Sequence, residues 1–135
     1  IHCHFQHDYS PAAQTAWTAW LRARFAGDIG ALNRAWGTAF WALTYARFED
    51  VPPPRQGRPT YPNPSALLDW QRFLSDGAAA YQRDQVEILR ATQPRWWVTH
   101  NGWFASIDYR GPFPTDLDFL GFDSYPFFDY DPVDR

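Results

Sequence analysis

The stretch at residues 33–41 constrains the fold most, because it places three large aromatic rings around one glycine, between two helical patterns. Rings of this size are either buried in a core or offered to a ligand. Leu32, Trp36 and Phe40 recur at helical spacing, which predicts buried anchors. Trp41 lies one position off that stripe. It is either one more core ring or free to face a cavity, where a flat indole would suit the apolar face of a sugar.

Two helices are predicted around this stretch. The first begins with Ser10 as its cap and Pro11 at its first helical position, and Gly27 ends it. The apolar stripe of this helix consists of Ala13, Trp17, Trp20, Leu21 and Phe25. Asp28 is predicted to cap the second helix, which is shorter and runs into the aromatic stretch.

The longest predicted helix runs from Ser65 to Thr92, before Pro94. Steps of three and four predict one buried face, made of Leu67, Trp70, Leu74, Gly77, Tyr81, Gln85 and Ile88. The charged residues lie mainly off this face and are interpreted as solvated surface: Asp69, Arg72, Asp76, Arg83 and Glu87. Before the helix, a proline-rich segment from Phe48 to Pro64 predicts an ordered excursion over the surface.

Two short apolar runs follow the long helix, and each ends in polar residues. The first ends in His100 and Asn101, and the second leads into Asp123, Ser124 and Tyr125. The order helix, strand, connection, strand is typical of an α/β fold, and nearly continuous apolar strands suit a buried parallel sheet. Active sites of β/α barrels lie at the carboxyl ends of the strands, so these polar residues are candidates for a site.

Composition narrows the class of protein. Aromatic residues make up 19% of the chain, with eight tryptophans, which fits a carbohydrate-active protein. A net charge of −3 with both signs interspersed argues against a nucleic-acid partner. No run approaches the roughly 18 apolar residues of a membrane span. Because Cys3 is the single cysteine, the chain cannot form an internal disulfide. The cellular location of the protein is therefore left open, with the cytoplasm favoured.

The N-terminal segment is rich in residues that could bind a metal, namely His2, Cys3, His4, His7 and Asp8. Zinc takes such ligands, but no pair has the spacing of a known structural site. A polar loop is therefore favoured over a metal centre. The chain contains no methionine and opens and stops abruptly, from which we expect part of a larger domain.

Five stretches together resemble glycoside hydrolase family 42, the β-galactosidases built on a (β/α)8 barrel. They read WL at 20–21, ALNRAWGTAFW at 31–41, PNP at 62–64, LDWQRF at 68–73 and DSYP at 123–126. They occur in order with similar spacing and cover nearly the whole chain. The resemblance implies an α/β fold, a helix-rich part of a (β/α)8 TIM barrel from the end of strand four to the end of strand six. Residues 1–135 would then be a fragment of one catalytic barrel domain.

The resemblance also implies the chemistry, which is retaining hydrolysis of terminal β-D-galactosides by two glutamates. The acid/base would directly precede Ile1 and the nucleophile would follow Arg135, so no catalytic carboxylate is expected within the chain. Trp41 matches a tryptophan that lines the galactose subsite, and Tyr125 matches a tyrosine that contacts nucleophile and substrate. Asn101 and Asp123, as neighbours at the strand ends, are further candidates for substrate binding.

One departure from the family concerns metal. Many members carry a cysteine cluster that binds zinc, and the corresponding positions here read Asp8, Ser10 and Ala13. We therefore expect no zinc site and no cofactor. Relatives are often trimers, which implies a homotrimer for the full-length protein. Two alternatives stay open: a non-catalytic carbohydrate-binding barrel, and a related barrel glycosidase acting on another β-linked sugar.

Overall fold

The computed structural model describes residues 8–40, 42–55, 62–101 and 107–121. The described ranges contain three α-helices, α1 (Pro11–Arg24), α2 (Ile29–Trp36) and α3 (Pro64–Thr92). They also contain two short strands, β1 (Thr99–Asn101) and β2 (Phe119–Gly121), and 3-10 helices at Phe48–Asp50 and Phe113–Asp116. The predicted order of helices and strands is confirmed.

The helix ends follow from local chemistry. Ser10 Oγ accepts a hydrogen bond from the Ala13 N–H and so caps α1, as predicted. Asn63 does the same for α3, where its side-chain oxygen accepts from the N–H groups of Ser65 and Ala66. Gly37, with φ +59°, ends α2 in the left-handed conformation that glycine adopts without strain.

The core lies where the three helices meet. Trp17 of α1 is fully buried, with its ring centroid 6.3 Å from Trp36 of α2 and 5.2 Å from Trp70 of α3. Leu21, Leu32, Phe48 and Val51 complete the buried cluster. The predicted anchors Leu32 and Trp36 are confirmed. Phe48 and Val51 are buried too, so the start of the proline-rich segment contributes to the core as well as to the surface.

The prediction that Phe40 is a third anchor is wrong, because its side chain is 85% exposed. The helix ends at Trp36, and the left-handed Gly37 turns the chain away from the helix axis. Helical spacing therefore no longer applies four residues after Trp36. The Phe40 ring is therefore exposed, whereas Leu32 and Trp36 are buried.

The predicted buried face of α3 is right at Trp70 and wrong further along. Tyr81 and Ile88 are 55% and 68% exposed, and the buried residues of this half are Ser75, Ala79, Gln82 and Val86. A different face is buried because this half of α3 packs against the 3-10 helix Phe113–Asp116 and the residues just before it. Gln82 Nε2 donates to the Phe113 carbonyl at 2.6 Å, and Ser75 Oγ accepts from the Asp108 N–H at 2.9 Å.

The two strands form a parallel pair in which Thr99 lies opposite Phe119 and Asn101 opposite Gly121. β1 runs antiparallel to α3. Near the end of the helix, Arg90 donates to the carbonyl of Trp96, which precedes β1. Two turns earlier in the helix, Gln82 binds Phe113, and the Phe113 ring contacts His100 within β1. The carboxyl ends of the strands therefore point towards the half of α3 on which α1 and α2 pack.

Candidate functional site

The loop that follows α2 is held at both ends by one side chain, Asn33. Its Nδ2 donates to the Tyr45 carbonyl at 2.8 Å, and its Oδ1 accepts from the Tyr45 N–H and the Thr38 hydroxyl, each at 3.0 Å. We call residues 37–45 the Asn33 loop. Thr38 is buried and Tyr45 half-buried, so the two ends of the loop are anchored against the core.

Backbone hydrogen bonds also join residues within the same loop. The Leu43 N–H donates to the Thr38 carbonyl at 3.1 Å, and the Phe40 and Ala42 N–H groups donate to carbonyls three residues earlier. Ala42 has φ +51°, a left-handed conformation that is uncommon for a residue other than glycine. Trp41, the principal predicted site residue, lies outside the described residues. Its neighbours on both sides belong to this tightly turned backbone.

A buried carboxylate supports the start of the loop. Asp69 is only 3% exposed, and its Oδ2 accepts from the Trp36 indole N–H at 2.9 Å. Its Oδ1 pairs with Arg72 at 2.8 Å and with Arg24 at 3.0 Å. The interpretation of Asp69 as solvated surface is therefore wrong. A sequence signal for it existed, since Asp69 stands next to the buried Trp70 and three residues before an arginine.

The second part of the candidate site is the carboxyl end of the sheet. Asn101 is the last residue of β1 and is exposed, as expected of a residue at a strand end. His100, before it, is half-buried with its ring edge-on to Phe113 at 5.6 Å. Asp123 and Tyr125, the other two predicted substrate-binding residues, lie outside the described residues.

The start of the Asn33 loop and the end of β1 lie near different halves of α3. Asp69 binds Trp36, and Gln82 binds Phe113, whose ring contacts His100. Asp69 and Gln82 are thirteen positions apart in α3. At about 1.5 Å per residue, these attachments are about 20 Å apart along the helix. Of the four predicted substrate-binding residues, only Asn101 lies in the part of the chain that the structure describes, so its proximity to Trp41, Asp123 and Tyr125 stays a prediction.

An ionised carboxylate, that of Asp118, lies at the amino-terminal ends of the two strands. Asp118 accepts hydrogen bonds from the Val98 N–H at 2.7 Å and from the Arg90 guanidinium. The Val98 N–H, and after it Arg90, lower the pKa of Asp118 below its usual value. Asp118 therefore ties the end of α3 to the start of the sheet and does not face the candidate site.

The three positions expected to match a zinc-binding cysteine cluster contribute to a helix cap here. Asp8 Oδ1 accepts from the Ser10 N–H at 2.8 Å, and Ser10 Oγ accepts from the Ala13 N–H at 3.2 Å. The serine hydroxyl is occupied and alanine offers no ligand, so these residues do not fit a tetrahedral zinc ion. In the part of the chain that the structure describes, no group of three or more histidine, cysteine or acidic residues could hold a metal. His2, Cys3, His4 and His7 lie outside that part.

Of the helices described, even the longest lacks the apolar stretch that crossing a bilayer requires.

Comparison with known proteins decides the family. The sequence model of the glycoside hydrolase family 42 β-galactosidases matches residues 1–134. The chain belongs to glycoside hydrolase family 42. A β-galactosidase of Thermus thermophilus is 50% identical over 120 residues, which are 87% of this chain and 18% of that protein.

Solved structures agree with this family 42 membership. The crystal structure of a β-galactosidase from the psychrophilic Marinomonas ef1 matches with a TM-score of 0.82 and 37% identity, over 92% of this chain and 19% of that one. A β-galactosidase from the Antarctic haloarchaeon Halorubrum lacusprofundi matches with a TM-score of 0.78 and 39% identity, over 87% of this chain and 18% of that one. The chain spans about a fifth of the length of these relatives.

The family 42 chain is therefore a helix-rich part of a (β/α)8 barrel, as predicted. β1 and β2 are neighbouring parallel strands of that barrel. The described part of their connection, residues 107–118, contains a 3-10 helix at Phe113–Asp116 and no α-helix. Helix α3 covers this short connection and is long enough to extend well past the strand ends.

Proposed function

We propose that the full-length protein containing this chain is a retaining β-galactosidase that hydrolyses terminal β-D-galactosides by double displacement. Membership of glycoside hydrolase family 42 supports this proposal. In such a reaction one carboxyl group protonates the glycosidic oxygen while a second attacks the anomeric carbon, and water then releases the sugar from the covalent intermediate. Both glutamates are proposed to lie outside this chain, whose part is to bind and orient the sugar.

The observation that carries the proposal is the construction of the Asn33 loop. Hydrogen bonds at its two ends and across its backbone hold it, while Phe40 and Leu43 are 85% and 50% exposed. A loop fixed in this way suits the presentation of a ring to a ligand, because its geometry does not depend on burying that ring. We propose that the Trp41 indole forms the floor of the galactose subsite and stacks on the apolar face of the sugar.

Three residues at the strand ends complete the proposed binding surface. The Tyr125 hydroxyl would donate a hydrogen bond to the nucleophilic carboxylate, which keeps that group ionised and in line for attack. Asn101 and Asp123 would bind sugar hydroxyls, whose correct pairing is what separates one sugar from another. The exposure of Asn101 at the end of β1 supports this role, since a sugar could reach it.

The remaining expectations concern the whole protein. Residues 1–135 would form part of a single catalytic barrel domain that needs no cofactor. The protein would assemble as a homotrimer, with no nucleic-acid or membrane partner.

The test is turnover by the purified full-length protein. It should hydrolyse p-nitrophenyl β-D-galactoside faster than the matching fucoside, arabinoside and glucoside. Proton NMR at early times should show the β-anomer of galactose as the first product. First release of the α-anomer would contradict the retaining mechanism. Binding of galactosides without any turnover would instead favour a carbohydrate-binding barrel, and a faster reaction with another sugar would reassign the substrate.

A further inference from the structure

The Asn33 amide uses three hydrogen bonds to join two points that are seven residues apart, on either side of Trp41. Nδ2 donates to the Tyr45 carbonyl, and Oδ1 accepts from the Tyr45 N–H and the Thr38 hydroxyl. The Asn33 backbone carbonyl also accepts from the Thr38 N–H at 3.1 Å. One residue near the end of α2 therefore fixes both the start and the end of the Asn33 loop.

The described side chains in the middle of this loop are exposed. Phe40 is 85% exposed and Leu43 is 50% exposed, and Ala42 is exposed as well. The left-handed φ of Ala42, +51°, is a conformation that an alanine keeps only where its surroundings impose it. Here the surroundings are the Leu43–Thr38 backbone bond and the Asn33 amide. The backbone on both sides of position 41 is thus held by the Asn33 amide and by the Leu43–Thr38 bond.

We propose that Asn33 is a positioning residue, which sets the orientation of the Trp41 indole by holding the two ends of the Asn33 loop. The inference rests on the proposed function for the role of Trp41 in sugar binding. Stacking needs the ring plane to lie parallel to the sugar face, so a loop released at one end loses the contact even though the indole is still present. Asn33 itself does not touch the sugar in this account.

The experiment is a double-mutant cycle in the full-length protein, with kcat/KM for p-nitrophenyl β-D-galactoside as its readout. Asn33→Ala and Trp41→Ala should each lower kcat/KM by about tenfold or more, and the double variant should fall no further than the lower of the two. Ser10→Ala, which removes the cap of α1, is the control for lost stability. It should lower the melting temperature and leave kcat/KM within about twofold.

A second readout reports on the ring without using activity. In protein labelled with 5-fluorotryptophan, Trp41→Phe identifies the Trp41 fluorine resonance. Asn33→Asp keeps an acceptor for Thr38 and for the Tyr45 N–H but repels the Tyr45 carbonyl. It should shift the Trp41 resonance and leave that of Trp70 unchanged. This milder variant also carries the test where Asn33→Ala does not fold.

The outcomes separate this inference from the proposed function. Effects of Asn33→Ala and Trp41→Ala that multiply in the double variant would overturn the inference, because Asn33 would then act independently of the ring. An unmoved Trp41 resonance in Asn33→Asp would overturn it too. If Trp41→Ala leaves turnover unchanged while Asn33→Asp still shifts the resonance, the positioning role stands and the assignment of Trp41 to the sugar subsite fails.

Discussion

Asp118 and Val98 bind each other twice, with the Asp118 N–H donating to the Val98 carbonyl at 2.9 Å and the Asp118 carboxylate accepting from the Val98 N–H at 2.7 Å. The two residues are twenty positions apart, the same offset that pairs Thr99 with Phe119 along the sheet. This side chain therefore sets the register of the parallel strands one residue before they begin, and a register error would displace every side chain that follows.

Replacing Asp118 by alanine should lower the melting temperature of the full-length protein, because the Val98 N–H and the Arg90 guanidinium both lose their acceptor. Differential scanning calorimetry would measure the change. Asp84→Ala, on the exposed surface of α3, is the matched control and should leave the melting temperature nearly unchanged. An equal effect of the two substitutions would contradict the register role of Asp118.

The same carboxylate predicts a pH dependence. The pKa of Asp118 is lowered from its ordinary value of 3.8 in the folded state, mainly by the Val98 N–H. Its contribution to stability is therefore complete above that ordinary value and is lost as the pH falls from there through the lowered folded pKa. Denaturant unfolding at a series of acidic pH values should show a smaller loss of stability in Asp118→Asn than in the wild type. Identical slopes would be inconsistent with a lowered pKa.

Two tryptophan–aspartate hydrogen bonds in this chain differ in burial and in the two arginines that also pair with the buried aspartate. Trp36 donates to the buried Asp69 at 2.9 Å, and Trp20 donates to the exposed Asp76 at 2.8 Å. Asp69→Ala should cost about 1–3 kcal/mol, because a buried indole N–H is left without a partner. Asp76→Ala should cost less than about 0.5 kcal/mol, since water replaces the carboxylate. Urea unfolding of both variants tests this, and comparable losses would refute the importance of burial.

The aromatic stretch predicts opposite outcomes for its two tryptophans. Trp36 is 4% exposed, so Trp36→Ala should destabilise the protein by about 3–5 kcal/mol. Trp41→Ala should lower kcat/KM by about tenfold or more at an unchanged melting temperature, if its ring stacks on the sugar. Steady-state kinetics and thermal unfolding of both variants would separate the two roles. An unfolded Trp41→Ala together with a stable but less active Trp36→Ala would mean that the roles are reversed.

The 135-residue chain on its own should not turn over galactosides, because both proposed glutamates lie outside it. A purified sample, free of host β-galactosidase, would be assayed with p-nitrophenyl β-D-galactoside. The full-length protein at equal molarity is the control. Turnover by the short chain at a rate comparable to that of the control would show that its own carboxylates are catalytic.

Helix positions were predictable because their signals are local. Ser10 with Pro11 marks the start of α1 through a side-chain hydrogen bond and a backbone preference that act within one turn. The parallel strand pair was also predictable, since apolar runs between helical patterns favour it.

The errors at α3 and Asp69 occurred where distant parts of the chain decide the outcome, whereas the error at Phe40 came from the local turn at Gly37. Which face of α3 is buried depends on the 3-10 helix more than thirty residues away, whose carbonyl holds Gln82. Asp69 is buried because Trp36 and two arginines satisfy it, and no spacing rule identifies all three partners. In the candidate site, Asn101 was correctly placed at a strand end, whereas its role and those of Trp41, Asp123 and Tyr125 stay predictions.

The aromatic core has a consequence for the order of folding. Its buried members run from Trp17 to Trp70, and the partly buried rings and side chains around them run from Tyr9 to Leu74. Every contact in this cluster is therefore available before the strand residues leave the ribosome. The buried face of the second half of α3, by contrast, is covered by the 3-10 helix Phe113–Asp116 and the residues that lead to it, which are synthesised later. A nascent chain can thus pack its tryptophan cluster first. The first half of α3 is then already folded when the strands form.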